Sequence, residues 1–274
     1  MMADPRAWPV RLPATLRCTS LDHTGRVDGT VVRALLAVAV LITIAVLVSW
    51  RASLGHGRDL VIVTVRAIGQ LILVAAVIKL VFTTPAWAPV YLTAMLLAAT
   101  WTSGRRLHRR GVPSVWLPCA VAIAAGAIVP ALVVVLTGAL PAVVNQLVPF
   151  TAQVIGGAMT ATTLASLRML DDVTAGWTEV EGWLALGARG ATAVRQQARQ
   201  AARAALVPAL DQTRNVGIVV LPGAYVGLLL AGATPLDAGR FQLLVLVSLL
   251  AAEIIAATLV TRLLSNALGD QQHP

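Results

Sequence analysis

Residues 241–260 read FQLLVLVSLLAAEIIAATLV, and Glu253 is the single charged side chain among them. About 20 helical residues of this kind cross the hydrocarbon core of a bilayer, which is roughly 30 Å thick. The rest of the chain is similarly apolar, since 58% of its 274 residues are hydrophobic, 12% are charged and the mean hydropathy is +0.81. Soluble domains of this length seldom reach such values, so the sequence indicates an integral membrane protein.

Seven segments are long and apolar enough to cross a membrane. They lie at Val31–Trp50, Leu60–Phe82, Ala86–Thr102, Pro113–Thr137, Leu147–Leu170, Ala204–Ala231 and Phe241–Leu264. The sequence therefore predicts an all-α, polytopic protein of the inner or plasma membrane with about seven transmembrane helices. We expect the transmembrane domain to cover residues 31–265, between a disordered tail at 1–30 and a short tail at 266–274.

Arginine-rich loops set the predicted orientation. Residues 104–110 read GRRLHRR, whereas the loops 83–85 and 138–146 carry no charge. Because basic loops remain in the cytoplasm, this loop, the loop 171–203 and the C-terminus are predicted to be cytoplasmic. The N-terminal tail then falls outside, although it carries Arg6, Arg11, Arg17 and Arg26. Three explanations remain open: a mis-assigned start codon, a first segment that does not cross the membrane, or an exception to the rule.

The charge and the missing motifs exclude several classes of protein. The net charge of +9 does not indicate nucleic-acid binding, because the arginines separate apolar runs rather than lie among aromatic residues. The sequence contains no GxxxxGK[ST] phosphate loop, no HExxH motif and no CxxC pair. We therefore expect a protein that is not an enzyme, that holds no cofactor of its own, and whose metal ligands are not identifiable.

Polar side chains at bilayer depth are costly and usually face a protein interior or a cavity. Arg66 and Gln70 share one face of the second segment. The fifth segment is rich in small and hydroxyl residues, which favour either tight helix packing or a pathway-lining face. Glu253 requires a partner, for which Arg66 and Arg214 are the candidates.

The sixth segment is interrupted twice. Five polar residues follow one another, Asp211, Gln212, Thr213, Arg214 and Asn215, and the pair Pro222 and Gly223 comes later. Irregular backbone at membrane depth is tolerated where it is buried in protein or lines a water-filled cavity. The segment is therefore the main candidate for a transport pathway, although Asp211 and Arg214 are also spaced to form a purely structural pair.

The polar loop after the fifth segment reads EVEGWLALGARGATAVRQQARQAARAA at residues 179–205. Its apolar residues predict a short amphipathic helix over Trp177–Leu186, which Gly187 can end, and a second helix that carries Arg195, Arg199 and Arg203. The segment either lies on the membrane with its arginines facing anionic lipid headgroups or docks on a separate ATPase. The stretch EGWLALGA resembles the EAAxxxG signature of ABC permeases, with Gly182 and Trp183 in place of the two alanines and without the apolar residue and proline expected further along.

Three stretches together resemble the FetB (YbbM-like) permease family: VRAIGQLILV at 65–74, the polar loop, and PALDQTRNVGIVVLPGAYVGLLLAGATPLDAGRFQLLVL from Pro208. The resemblance implies an ABC transporter subunit of the kind implicated in iron export, with plant relatives in aluminium tolerance. It also implies a homodimer with two copies of a separate ATPase that binds ATP and Mg²⁺. The matching motif residues are Arg66, Ala67, Gln70, Leu71, Leu221, Pro222, Gly223, Gly227, Gly232 and Pro235.

The fifth segment departs from the family pattern. Pro149, Gly156 and Met159 are kept, but Ala152, Gln153 and Gly157 stand where the family has Gly, Met and Asn. The transported substrate can therefore differ.

These observations predict the permease subunit of an ABC-type exporter for iron or another metal ion, with a cytoplasmic coupling-helix loop. The predicted substrate pathway comprises Arg66, Gln70, Gln153, Met159, Asp211, Gln212, Thr213, Arg214, Asn215 and Glu253. The predicted ATPase-docking residues are Glu181, Trp183, Leu184, Leu186 and Gly187, and the predicted hinge residues are Pro222, Gly223 and Gly227. An ATP-independent channel or secondary transporter and a non-transporting membrane scaffold are the alternatives.

Overall fold

A computed structural model of the chain describes residues 29–270, apart from residues 54, 56, 113 and 142. These residues form ten helices without a β-strand, which confirms the all-α prediction. The helices are α1 Gly29–Arg51, α2 Gly57–Thr83, α3 Ala88–His108, α4 Trp116–Leu136, α5 Val144–Ala175, α6 Trp177–Ala185, α7 Gly190–Ala193, α8 Arg195–Arg214, α9 Gly223–Leu230 and α10 Pro235–Asp270. A 3-10 turn, Pro85–Trp87, precedes α3.

The chain divides into two compact units at Thr83 and Thr84. In the first unit, α1 and α2 pack against each other as a helical hairpin. Most of their side chains are apolar and exposed, as Leu41 and Leu71 illustrate. Exposed apolar surface on two long helices is what a membrane-spanning hairpin presents to lipid or to other helices.

The second unit is organised around α10, which packs against α4, α5 and α8. The helices approach closely at Gly126 of α4, where an added Cβ would lie 2.8 Å from the backbone carbonyl oxygen of Ala252 and 3.1 Å from the Cβ atoms of Ala158 and Ala256. Small residues allow helices to approach this closely, and the resulting van der Waals contact holds them together within a membrane. Gly126 therefore marks the point where α4, α5 and α10 meet.

Two buried hydrophobic clusters stabilise the second unit. The first cluster contains Leu107, Met169, Val180 and Val260 and includes residues of α6, α7 and α8. The second cluster contains Phe150 and draws its buried residues from α3, α4, α5 and α10 and the α4–α5 connection. Since α8 contributes buried side chains only to the first cluster, α8 is anchored at one end of the unit.

The arginine-rich loop and the α5–α6 connection lie at the same end of the second unit. Arg110 donates a hydrogen bond to Asp171 at 2.9 Å and so joins the loop after α3 to the end of α5. At the same end, Gly104 leaves room for the ring of Trp116, which stacks on Trp101 with ring centroids 5.2 Å apart. The predicted topology places both loops in the cytoplasm, and it therefore requires them to lie at the same end of the unit.

Five helical segments are long and apolar enough to cross a membrane within the described part of the chain. They are Val32–Arg51, Asp59–Thr83, Trp116–Leu136, Val144–Ala175 and Pro235–Ala267. The structure does not confirm a count of seven, because α3 ends in the polar sequence TWTSGRRLH and the predicted sixth segment is not one helix.

Three predicted boundaries differ from those in the structure. The predicted sixth segment, Ala204–Ala231, is divided between two helices, because α8 ends at Arg214 and α9 begins at Gly223. The predicted C-terminal tail at 266–274 begins inside α10, which continues to Asp270, and α1 begins at Gly29, inside the predicted N-terminal tail. The rest of the N-terminal tail lies outside the described residues.

Substituting Gly126 should destabilise the second unit, whereas the same substitution at Gly156 should not. Gly126→Ala places a methyl group against the Ala252 carbonyl, and such overpacking costs about 1–3 kcal/mol. Gly156→Ala meets nothing within 4 Å and gains up to about 1 kcal/mol of helix propensity. Melting temperatures of the two variants in detergent should therefore shift in opposite directions, or only Gly126→Ala should lower the value. Equal shifts would contradict the close packing at Gly126.

Candidate functional site

The helix α6 ends in a glycine-dependent cap. Gly187 has a φ of +84°, which favours glycine over residues that carry a side chain. Its N–H donates to the carbonyl of Leu184 at 2.9 Å, and the N–H of Ala188 donates to the carbonyl of Trp183 at 3.0 Å. This pair of hydrogen bonds is the Schellman motif, so Gly187 ends the helix as predicted.

The helix α6 buries some of its apolar side chains and exposes others. Val180 is buried in the first hydrophobic cluster, and Leu184 packs against that cluster. Trp183 and Leu186 are 49% and 82% exposed, and Glu181 is also exposed. The helix is thus held on the protein by one face while it presents large apolar side chains on its surface.

A hydrogen bond links α6 to α8. The Gln197 side chain is buried, and its amide Nε2 donates to the Glu179 carboxylate at 3.3 Å. Gly176, between α5 and α6, is close to this contact, since a Cβ there would lie 3.4 Å from Nε2 of Gln197. The contact fixes the start of α8 to the first turn of α6, and Gln197 was not among the predicted site residues.

The polar stretch of α8 lies beyond its packed part. Ala198, Ala201 and Ala205 are buried, but no described residue of α8 after Leu206 packs into either hydrophobic cluster. Asp211 and Arg214 form an ion pair at 3.8 Å with side chains 57% and 76% exposed. The two side chains therefore pair as their spacing predicts, although exposed pairs of this kind contribute little stability.

The break between α8 and α9 is a compact turn. The carbonyl of Asn215 accepts hydrogen bonds from the N–H groups of Ile218, Val219 and Val220 at 3.3, 3.0 and 3.2 Å. Gly217 has a φ of +82°, and Pro222 is extended and caps α9 at Gly223. Gly227 lies in the second turn of α9 with nothing within 4 Å of an added Cβ. The helical path is therefore broken at residues 215–222, next to the predicted break at Pro222 and Gly223, whereas residues 211–214 stay helical and do not interrupt α8 as predicted.

Glu253 faces α5 at Gly157. A Cβ on Gly157 would lie 3.0 Å from Oε1 of Glu253 and 2.7 Å from Cδ2 of Leu249. Within the second unit, Glu253 forms no ion pair with a described residue, and the predicted partner Arg214 is bound to Asp211 instead. Glycine at position 157 therefore provides the space that the Glu253 side chain occupies.

The remaining predicted pathway residues are distributed over both units. Arg66 and Gln70 lie one turn apart on α2 in the first unit, and both are exposed. On α5, Gln153 is exposed, whereas Met159 packs against the second hydrophobic cluster. Gln212 is exposed and Thr213 donates to the carbonyl of Ala209 within α8.

Three hydroxyl residues of α5 serve helix packing. Thr162, Thr163 and Ser166 are buried, and the hydroxyl groups of Thr163 and Ser103 lie 2.8 Å apart between α5 and α3. Ser166 donates to the carbonyl of Thr162. These three hydroxyl residues therefore serve tight helix packing rather than a pathway-lining face.

No cluster of three or more His, Cys, Asp or Glu side chains that could hold a metal ion occurs among the described residues. No solved structure matches the chain.

A sequence model of the family described as "Uncharacterised protein family (UPF0014)" matches residues 32–268. The chain is 32% identical to the "UPF0014 membrane protein STAR2" of Oryza sativa subsp. japonica over 83% of its own length and 80% of that protein. It is 29% identical to the "Probable iron export permease protein FetB" of Escherichia coli (strain K12) over 85% of its length and 90% of that protein. It is also 29% identical to the "Protein ALUMINUM SENSITIVE 3" of Arabidopsis thaliana over 83% of each. Since the family match spans most of a chain built from long apolar helices, this multi-pass membrane protein belongs to the UPF0014 family.

Proposed function

We propose that the chain is the permease subunit of an ABC-type exporter that moves iron or another metal ion and is powered by a separate ATPase. The observation that carries the proposal is the arrangement of α6, a capped amphipathic helix that is exposed on one side and bonded to α8 on the other. The name of the Escherichia coli relative, "Probable iron export permease protein FetB", supports the substrate class and the direction of transport.

The docking surface of the proposed mechanism consists of the exposed residues of α6 and its cap: Glu181, Trp183, Leu186 and Gly187. Large aromatic and aliphatic side chains that enter a pocket of a partner dominate the binding energy of many interfaces. Trp183 and Leu186 are exposed beside a charged residue, Glu181, and so match an apolar anchor with a polar rim. ATP and Mg²⁺ would bind to two copies of the partner, which act on a homodimer of this chain.

Transmission to the pathway would run from α6 to α8. Closure of the ATPase subunits displaces α6, and the Glu179–Gln197 hydrogen bond together with buried Val180 carries the displacement to α8. The helix α8 ends at the turn 215–222, where the chain can change direction without breaking a helix. The polar residues 211–215 then change their exposure between the two sides of the membrane.

The cargo site of the proposed mechanism uses oxygen ligands. Among the predicted pathway residues, Asp211 and Glu253 carry carboxylates and Gln153 carries an amide, and such oxygen ligands suit hard cations better than a thioether does. Gln153 occupies the position where the family pattern has Met, so the preferred ion of this chain can differ from that of its relatives. Arg66 and Gln70 are assigned to the same pathway by the family motif and by their position as polar side chains within a predicted membrane-crossing segment.

Removing the exposed apolar side chains of α6 should abolish ATPase binding. Trp183→Ala combined with Leu186→Ala removes both anchors, and substitutions at such positions typically cost 2 kcal/mol or more, which is about 30-fold in affinity. The tagged chain is purified from its host, and the co-purified ATPase is identified and quantified by mass spectrometry. Thr178→Ala, an exposed polar position on the same helix, serves as the control and should retain the partner.

Two results would contradict the docking assignment. One is the absence of any ATPase from preparations of the unmodified chain, and the other is full recovery of the ATPase with the double variant. Continued transport after loss of every candidate ATPase would instead favour an ATP-independent channel or secondary transporter.

Removing the Gln197 amide should reduce ion transport while the ATPase still docks. Gln197→Leu keeps the approximate size of the side chain but deletes the bond to Glu179, so the ATPase should still bind while ATP-dependent ion efflux falls several-fold. The matched control is Gln196→Leu, because Gln196 is exposed on the same turn of α8. Efflux per ATP hydrolysed is measured for both variants in proteoliposomes. Unchanged efflux in Gln197→Leu with intact docking would show that the bond carries no coupling.

A further inference from the structure

A cleft of about 570 Å³ opens between α8 and α10 in the second unit. Its walls include three arginines of α8, namely Arg195, Arg199 and Arg203, and one arginine of α10, Arg262. Small-molecule sites commonly have volumes of about 300–1,000 Å³. The cleft is therefore large enough for a small ligand, and it is separate from the exposed apolar residues of α6.

The charge in the cleft is entirely positive. The residues that line it include four guanidinium groups and no carboxylate. None of the four arginines forms an ion pair within the part of the chain whose side chains are described. Such a site repels a metal cation, so it does not belong to the proposed ion pathway. It attracts an anion instead.

The arrangement of the arginines is unfavourable for the isolated helix. Arg195, Arg199 and Arg203 are spaced by four residues, which places like charges on one face about 6 Å apart along the axis. Like charges at this spacing destabilise a helix. Arg262 adds a fourth positive charge from the opposite wall. An anion bound between the two helices would offset this repulsion and hold α8 against α10.

The hydrogen-bond donors in the cleft suit a phosphate group. Guanidinium groups bind phosphate oxygens with two parallel N–H donors, and four such groups line this cleft. The hydroxyl groups of Thr261 and Ser265 already donate to carbonyls of α10 at 2.9 and 2.7 Å. The donors that remain for a ligand are therefore the guanidinium groups and the amide of Asn266. Ala198 and Ala202 are small and leave space between the arginines.

The cleft lies at the end of the second unit that carries the basic loop, residues 104–110. Arg195 begins α8 shortly after α6, and Arg262 lies near the C-terminal end of α10. Basic pockets between transmembrane helices at the cytoplasmic side are typical binding sites for anionic headgroups. We propose that this cleft binds a phosphate group, carried either by an anionic phospholipid headgroup or by free phosphate. The proposal does not depend on the identity of the transported ion or on the ATPase.

The test uses the full-length, delipidated chain in detergent and native mass spectrometry with added phosphatidylglycerol or phosphatidylcholine. We expect the unmodified chain to bind phosphatidylglycerol selectively. Arg199→Gln combined with Arg262→Gln should weaken this binding by at least about tenfold, because each basic residue contributes strongly to the attraction of an anionic headgroup. Arg106→Gln combined with Arg109→Gln is the matched control, since both arginines are exposed at the same end of the unit but do not line the cleft.

A second arm separates the two sources of phosphate. Inorganic phosphate is titrated into the delipidated chain by calorimetry, and binding that is lost in Arg199→Gln/Arg262→Gln identifies free phosphate as a ligand. Selective phosphatidylglycerol binding without phosphate binding identifies the lipid headgroup. Arg199→Lys combined with Arg262→Lys keeps the charge but removes the bidentate donors, so its affinity should lie between those of the unmodified chain and the glutamine variant. Size-exclusion profiles establish that each variant is folded.

Three results would overturn the proposal. The first is equal phosphatidylglycerol affinity in the glutamine variant and the matched control. The second is the absence of both phosphatidylglycerol and phosphate binding in the unmodified chain. The third is loss of ATPase binding in the glutamine variant with unchanged binding of lipid and phosphate, which would make the cleft a contact for the partner protein.

Discussion

The close approach of α4, α5 and α10 at Gly126 is the constraint on which the rest of the structure depends. Gly126 has no side chain, so the backbone of α10 at Ala252 can lie against α4. Helices within lipid gain little hydrophobic energy from association, and close van der Waals contact between small residues holds them instead. These three helices form a framework, and the other helices of the second unit are attached to it.

The helix α8 is attached to the framework over only part of its length. Its alanines pack as far as Ala205, while its polar residues 211–215 lie outside both hydrophobic clusters. A segment with few buried contacts can move at lower free-energy cost than the core that supports it. In the proposed mechanism, this difference allows a displacement of α6 to change the position of the polar residues while the framework remains intact.

The sequence predicted the features that have a local signal. Long apolar runs predicted seven membrane-crossing segments, and five of them coincide with helices long and apolar enough to cross a membrane, because a backbone in lipid must satisfy its hydrogen bonds within the segment. The pattern around Trp177–Leu186 predicted α6, and the glycine at position 187 predicted its end. By contrast, the Glu179–Gln197 bond and the approach of Arg262 to the arginines of α8 join residues that are distant in the chain. Such pairs leave no periodic signal in one sequence. For the same reason, charge alone could not show that Arg214 pairs with Asp211 rather than with Glu253.

The most direct measurement is ion flux in proteoliposomes that contain the chain alone, the chain with its co-purified ATPase, or the complex with an ATPase that cannot hydrolyse ATP. Efflux of ferrous iron and of other divalent ions is followed with and without ATP. The proposed export mechanism predicts ATP-dependent ion movement only when the chain and an active ATPase are both present. Equal ATP-independent movement by the chain alone would contradict it, and so would an active complex that hydrolyses ATP but moves none of the ions.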